Sequence, residues 1–317
     1  MSNLSHQIEA RAIQGVVSFL LATIILLISI EAQSTVNFLV YTNDGIVNAA
    51  DSRITLAEGP RSRIASDYYD KIIRVGKMAA VSCAGNAFLL DERGASKNIS
   101  SVIEDYRVDN NIYDTTIISP RVIAEALKLC IGKIYNDNLM NALSGELDLF
   151  IYGYNVKRQR EIFTLVFPKI TGDSASGFKV SGILDSVSTN GAPGTKIYGQ
   201  TDTWQRIIKG FDPKLERMKC YESSEIRHID SGGLKEDTMS QAFDLGSLRY
   251  DIRYDMMSLQ DAIDYAIFIV RATIEAQRFN QSAIMGVGGQ IDIAIVTPNG
   301  FQWIQKKILH GEDKISE

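Results

Sequence analysis

The sequence predicts an α+β domain in which antiparallel sheets are covered by helices, and three observations carry that expectation. Apolar runs flank tight turns at both ends of the domain: residues 36–41 and 46–50 around Asn43-Asp44-Gly45, and residues 291–296 and 301–305 around Pro298-Asn299-Gly300. Two stretches, after Ser119-Pro120 and after Ser258, carry helical periodicity. No linker-like stretch breaks this arrangement in the 317-residue chain, so it fits one domain better than two.

The elements follow in order. Residues 71–75 and 78–84 form a second strand pair turning at Gly76-Lys77. Asn86 caps a helix running toward Tyr106, with Gly94 a weak point in its middle. Pro120 at the first helical position starts the next helix, whose inward face reads Val122, Ile123, Ala126, Leu127, Cys130, Ile131 and Ile134. Strands return at 147–154 and 162–167, joined by a charged turn. Residues 171–193 read as loop with short strands, 201–209 as a short helix and 211–257 as a surface insertion. Ser258 caps a helix to Arg278, with Leu259, Ala262, Ile263, Ala266, Ile267, Val270 and Ile274 inward. Residues 311–317 are a polar tail.

Composition removes several function classes. Against 38 Asp+Glu stand 33 Lys+Arg, a net charge of −5, which suits no nucleic-acid partner. Cys83, Cys130 and Cys220 form no CxxC pair, so neither a metal site nor a disulfide framework is expected. His6, His228 and His310 are too few and too scattered to favour a Ser-His-Asp site.

Residues 15–30 carry no charge, and sixteen residues fall between a signal-peptide core and a bilayer span. Residues 1–34 are therefore expected to be a signal peptide, or else a membrane anchor or propeptide. Ala32 and Ser34 are small enough for a signal peptidase, and a cut after Ser34 would expose Thr35. The chain is then extracytoplasmic or membrane-associated, with membrane contact through residues 15–30 if they are kept. It is cytoplasmic if the start site is mis-assigned.

Four features lie together downstream: Thr35 after the cut, Asp51 and Arg53 in Ala49-Ala50-Asp51-Ser52-Arg53, Lys71 at the head of a strand, and Gly85 after Ala84. At this spacing the chain resembles the proteasome β-subunit family of N-terminal-nucleophile hydrolases. That family begins its mature chain with Thr and a strand, a DG turn, and a strand ending Ala-Ala-Asp-x-Arg. The resemblance covers most of residues 35–307. It is strongest over the first fifty and loosest near 185–257, and the stretch between Arg53 and Lys71 is about four residues longer than usual.

The resemblance implies a four-layer αββα sandwich, two antiparallel sheets between helix layers, in a single domain over 35–310. It implies a threonine-type amide-bond hydrolase, a peptidase without cofactor or metal, acting on peptide or protein and assembled as a homo-oligomeric ring or stacked rings. Thr35, Asp51, Lys71 and Gly85 take the catalytic places and Arg53 a supporting one. Thr55 falls on the substrate strand. Cys83 and Ala87, with Tyr69, Ile73 and Asp91, fall where the family lines its first specificity pocket.

The chemistry of these residue types agrees. A threonine hydroxyl needs a base, and a free α-amine with a pKa of about 7.7–8.0 can serve near neutral pH. Lys71 beside it would favour the neutral amine and the deprotonated hydroxyl, and Asp51 would balance Lys71. A Gly85 N–H aimed at the oxyanion is worth roughly 3 kcal/mol.

The chain departs from the family where Ile284 and Val287 replace a supporting Asp and Ser, and near Tyr198-Gly199-Gln200, where a further Ser is missing. Two readings therefore stand beside the hydrolase: a non-catalytic, membrane-tethered assembly subunit, and an acylase acting on a small amide.

Overall fold

The computed structural model describes residues 30–32, 35–58, 61–170, 179–189, 191–210, 250–279 and 286–308. A short strand β1 (Ile30–Ala32) precedes the hairpin of β2 (Val36–Tyr41) and β3 (Ile46–Asp51). Its turn closes with Thr42 N donating to Gly45 O at 2.9 Å. Every residue of β2 and β3 is buried, so both faces of this hairpin are covered.

Strands β4 (Ile54–Glu58) and β5 (Arg61–Ser66) form a hairpin that the sequence reading passes over. Ile54 and Leu56 give β4 an apolar face only two residues long, and β5 is polar with two arginines, so neither stands out as a strand. Strand β1 pairs antiparallel with the other edge of β4, Ala32 opposite Leu56. Strands β6 (Ile72–Arg74) and β7 (Ala79–Gly85) turn through Gly76 as expected.

The helix expected from Asn86 does not start there. Strands β8 (Phe88–Leu90) and β9 (Ser96–Asn98) occupy the stretch, and α1 (Ile99–Asp109) begins only after them. Gly94 at φ +77° and the Asp91 carboxylate, which accepts from Arg93 N and Ala95 N at 2.8 Å each, build a turn there. Helix α2 (Pro120–Asp137) starts where Ser119 Oγ accepts from Arg121 N. Its buried face is rotated from the expected one: Val122 and Cys130 are exposed, while Ala124 and Tyr135 are buried. Tyr135 stacks on Phe167 at 4.8 Å and anchors this face.

A short helix α3 (Met140–Ser144) leads into β10 (Leu147–Tyr154), β11 (Arg160–Phe167), β12 (Ile183–Thr189) and β13 (Gly194–Gly199). Then come α4 (Asp202–Lys209), α5 (Leu259–Phe279), β14 (Ile291–Thr297) and β15 (Gly300–Gln305). Helix α5 is capped as predicted, with Ser258 and Asp261 bonded reciprocally. Its buried face includes Ile269, Thr273 and Gln277, whereas Ile267 and Ile274 are only partly covered.

Two five-stranded antiparallel sheets result, ordered β12-β11-β10-β7-β6 and β13-β2-β3-β14-β15. One apolar cluster joins α1 and α2 to β7, β10 and β11. A second joins α5 to β2, β3 and β14. A third, with Leu39, Ile46, Ala80, Phe150, Tyr152 and Val296, lies between residues of the two sheets. The register sets Asp51 opposite Ile291, Val36 opposite Gly199, and Gly85 opposite Leu147, at the start of β2 and the ends of β3 and β7.

Residues 211–249 of the expected insertion, residues 1–29 and the tail from 309 lie outside the described residues. Among the described residues no helix is long and apolar enough to cross a membrane.

Candidate active site

Asp51 ends β3 and Lys71 stands just ahead of β6, and the fold brings them to an Nζ–Oδ1 distance of 2.6 Å. Lys71 is 2% exposed and Asp51 1%. A lysine so enclosed is rare unless paired. Both oxygens of Asp51 are occupied. Oδ1 also accepts from Val36 N at 3.0 Å, and Oδ2 accepts from Gly288 N at 2.9 Å and Arg53 N at 3.3 Å. Burial pulls the Lys71 amine below the usual lysine range, with the Asp51 charge opposing. Burial likewise raises the Asp51 carboxyl, opposed by Lys71 and by the Gly288 and Val36 amides.

Thr35 is 5% exposed and leads directly into β2. Its carbonyl accepts from Gln200 N at 2.7 Å, and Gly199, at φ +84°, lies so close that a Cβ there would strike the same carbonyl oxygen. The next amide, Val36 N, is held by the oxygen that Lys71 also binds. Gly85 ends β7 at φ +81°, and a Cβ there would strike the Glu146 carbonyl. Only glycine fits that position.

The remaining expected residues divide. Arg53 pairs with Asp67, Nε to Oδ1 at 2.6 Å and Nη2 to Oδ2 at 3.2 Å, so its side chain braces the loop after β5. Thr55 is buried on β4 beside a register shift. Cys83 and Ala87 belong to the apolar cluster under α1 and α2, together with Tyr69. Burial pushes the Cys83 thiol up to about 12. Asp91 is tied into its own turn, its Oδ1 accepting from Arg93 N and Ala95 N.

No family model matches the chain, and no curated protein matches it. It is similar to solved structures of Anbu proteins. Anbu (ancestral beta-subunit) from Yersinia bercovieri is 15% identical, with 85% of this chain and 86% of that chain covered and a TM-score of 0.48. An Anbu (Gly-1) mutant from Hyphomicrobium sp. strain MC1 is 16% identical, covering 88% and 89%, at 0.45. A helical assembly of the Anbu complex from Pseudomonas aeruginosa is 13% identical, covering 86% and 88%, at 0.48. These findings correct the family reading: the spacing of Thr35, Asp51, Lys71 and Gly85 resembles the proteasome β-subunits, but no family model carries it to membership. Likeness this remote says nothing about chemistry, which rests on the site's own geometry.

That geometry includes residues the sequence reading missed. Gly288 donates its N–H to Asp51 and accepts at its carbonyl from Arg53 N at 3.0 Å. A Cβ on it would press on the Arg53 guanidinium at 2.5 Å. Its neighbour Val287, expected at a supporting place, is 2% exposed and turned into the α5 cluster. Ile284 lies outside the described residues. The doublet Gly288-Gly289 was the available signal. A second missed feature is a polar seam: Asn37 Nδ2 donates to Ser82 Oγ at 2.9 Å, and Asn48 Nδ2 to Asn37 Oδ1 at 2.7 Å. It joins β2 and β3 to β7 across the interior.

Proposed function

We propose that the chain is an amide-bond hydrolase whose nucleophile is Thr35, freed by a cut after Ser34, in a layered αββα arrangement. The observation that carries this reading is one carboxylate oxygen: Asp51 Oδ1 takes both Lys71 Nζ and the amide next to Thr35. A buried cation is thereby tied to the start of β2, where a hydroxyl would need it. The three apolar clusters support the layering.

With residue 34 attached, the Thr35 nitrogen is an amide and no base. Once free, the amine takes the proton of the Thr35 hydroxyl as Oγ1 bonds to the substrate's carbonyl carbon. The carbonyl electrons move to oxygen, facing the Gly85 N–H. Collapse breaks the C–N bond, the leaving amine takes the proton, and water then hydrolyses the Thr35 ester. Lys71 stabilises the negative charge on Oγ1 as it attacks and as it leaves the ester.

An extended peptide suits this site better than a small amide. The edge of β4 already accepts a strand, β1, in antiparallel register, which is how a sheet edge holds a peptide. Release outside the cytoplasm and self-association belong to the same proposal.

N-terminal sequencing of protein from its own host, with labelling by a β-lactone electrophile, tests it. The expected result is a chain starting at Thr35 with the label on that residue, abolished in Thr35→Ala. A chain retaining residues 1–34 overturns it and leaves the tethered, non-catalytic subunit, and a label unaffected by that change overturns Thr35 as the nucleophile.

A further inference from the structure

A second buried lysine stands behind Lys71. Lys307, two residues past β15, is 7% exposed overall and 2% at its side chain. Its Nζ lies 2.5 Å from Asp292 Oδ2 and 2.6 Å from Asp70 Oδ1, and donates to the Tyr69 carbonyl at 3.1 Å. An ammonium has three protons, and three acceptors surround this one. Its own backbone N–H donates to Asp292 Oδ1 at 2.7 Å, so both oxygens of Asp292 serve one residue.

Burying an ion cluster costs several kcal/mol in desolvation, and apolar packing of the same volume often stabilises a fold as well or better. What the cluster holds is therefore informative. Tyr69 and Asp70 are the two residues immediately before Lys71. Tyr69 is fixed a second time, its N–H donating to Ser52 O at 3.0 Å, next to Asp51. Asp292 stands beside Ile291, the register partner of Asp51. The cluster thus grips the backbone on both sides of the Asp51–Lys71 pair.

We propose that Lys307 is a positioning residue for Lys71, fixing the backbone that delivers it and setting a second positive charge behind it. This rests on the role given to Lys71 above. The titratable groups facing Lys71 are Asp51 from β3, the thiol of Cys83 from β7 and Lys307 from the chain after β15. Those facing Lys307 are Asp292 and Asp70. Lys307 works against the charged form of Lys71, Asp51 for it. Removing Lys307 deletes the opposing cation and leaves two carboxylates that favour a charged Lys71. The titration of Lys71 should then move up.

The test is an NMR titration of the full chain, with 13Cε-labelled lysine and Lys71 assigned through Lys71→Arg. In Lys307→Met, and in Lys307→Met/Asp292→Leu should the single change fail to fold, the Lys71 midpoint should rise. Lys307→Arg, which keeps the charge, should restore most of the original midpoint. An unchanged midpoint in a folded charge-deleting variant overturns the proposal. The readout needs no catalysis. A moved midpoint in a chain that hydrolyses nothing upholds the link to Lys71 and sinks the hydrolase. An active chain with an unmoved midpoint does the reverse.

Discussion

Lys71 Nζ and Val36 N meet at a single atom, Asp51 Oδ1, at 2.6 and 3.0 Å. The carboxylate therefore positions a charge and a strand end at once. Its loss should be felt as both instability and inactivity.

Lys71→Met leaves Asp51 buried and unpaired and should lower stability by about 3–5 kcal/mol. Adding Asp51→Asn removes that stranded charge while keeping an acceptor for a backbone amide. The double variant should regain much of the stability in urea unfolding and none of the hydrolysis. A double variant that hydrolyses would exclude Lys71 from the chemistry.

Gly85→Ala meets both a left-handed backbone and the Glu146 carbonyl, so the strand end must move. A loss of roughly 100-fold or more in turnover is expected, as for a displaced oxyanion donor. Gly94→Ala is the control: φ is +77° there too, but its Cβ meets nothing within 4 Å. It should cost about 1 kcal/mol and leave turnover unchanged.

Cys83 is buried with its thiol pushed up to about 12, so it stays protonated at neutral pH. Iodoacetamide should modify the exposed Cys130 and spare Cys83 in the folded chain, which peptide mass mapping reads directly. Hydrolysis should survive the treatment. Inhibition with label on Cys83 would point to a thiol nucleophile.

Asp148 sits on β10 with Oδ1 lacking a partner among the described residues. Burial first, then Glu146, pushes its carboxyl up to about 7. An unfolded Asp titrates near 3.9, so between about pH 4 and 7 the native state holds a proton the unfolded state has released. Stability from this group is therefore greatest below about pH 4, falls as pH rises to about 7, and is level beyond. Asp148→Asn should flatten that fall and stabilise the protein at pH 8 by on the order of 1–3 kcal/mol. A parallel shift of melting temperature at all pH values would refute the assignment.

The hairpins at both ends were legible because turn residues and apolar runs are local signals, as at Asp44-Gly45 and Asn299-Gly300. Asp51 and Lys71 were marked out by their spacing, and the fold brings that pair together. The strands on either side of Gly94 were not. Asn86 and the apolar Phe88, Leu89 and Leu90 fit a helix start equally well, and only the Asp91 turn decides. Gly288 showed only as half of a glycine doublet, and Asp292 and Lys307 gave no signal, because their roles depend on burial and on partners as far as 237 or 238 residues away. The face of α2 was legible at Ile123, Leu127 and Ile131, while Val122 and Cys130 at its margin lie exposed and Ala124 and Tyr135 are buried instead.

The polar seam of Asn37, Asn48 and Ser82 has a consequence for how the sheets find one another. Side chains alternate along β2, so a slip of one residue would carry Phe38 into the place of Asn37 and strand Ser82 against an aromatic ring. Apolar faces tolerate near-misses, since one branched residue packs about as well as the next. Three fully buried amide and hydroxyl groups do not. The seam acts as a keyed joint, admitting one alignment of β2 over β7. That alignment sets Asn37, near the start of β2, against Ser82 and Cys83, near the end of β7.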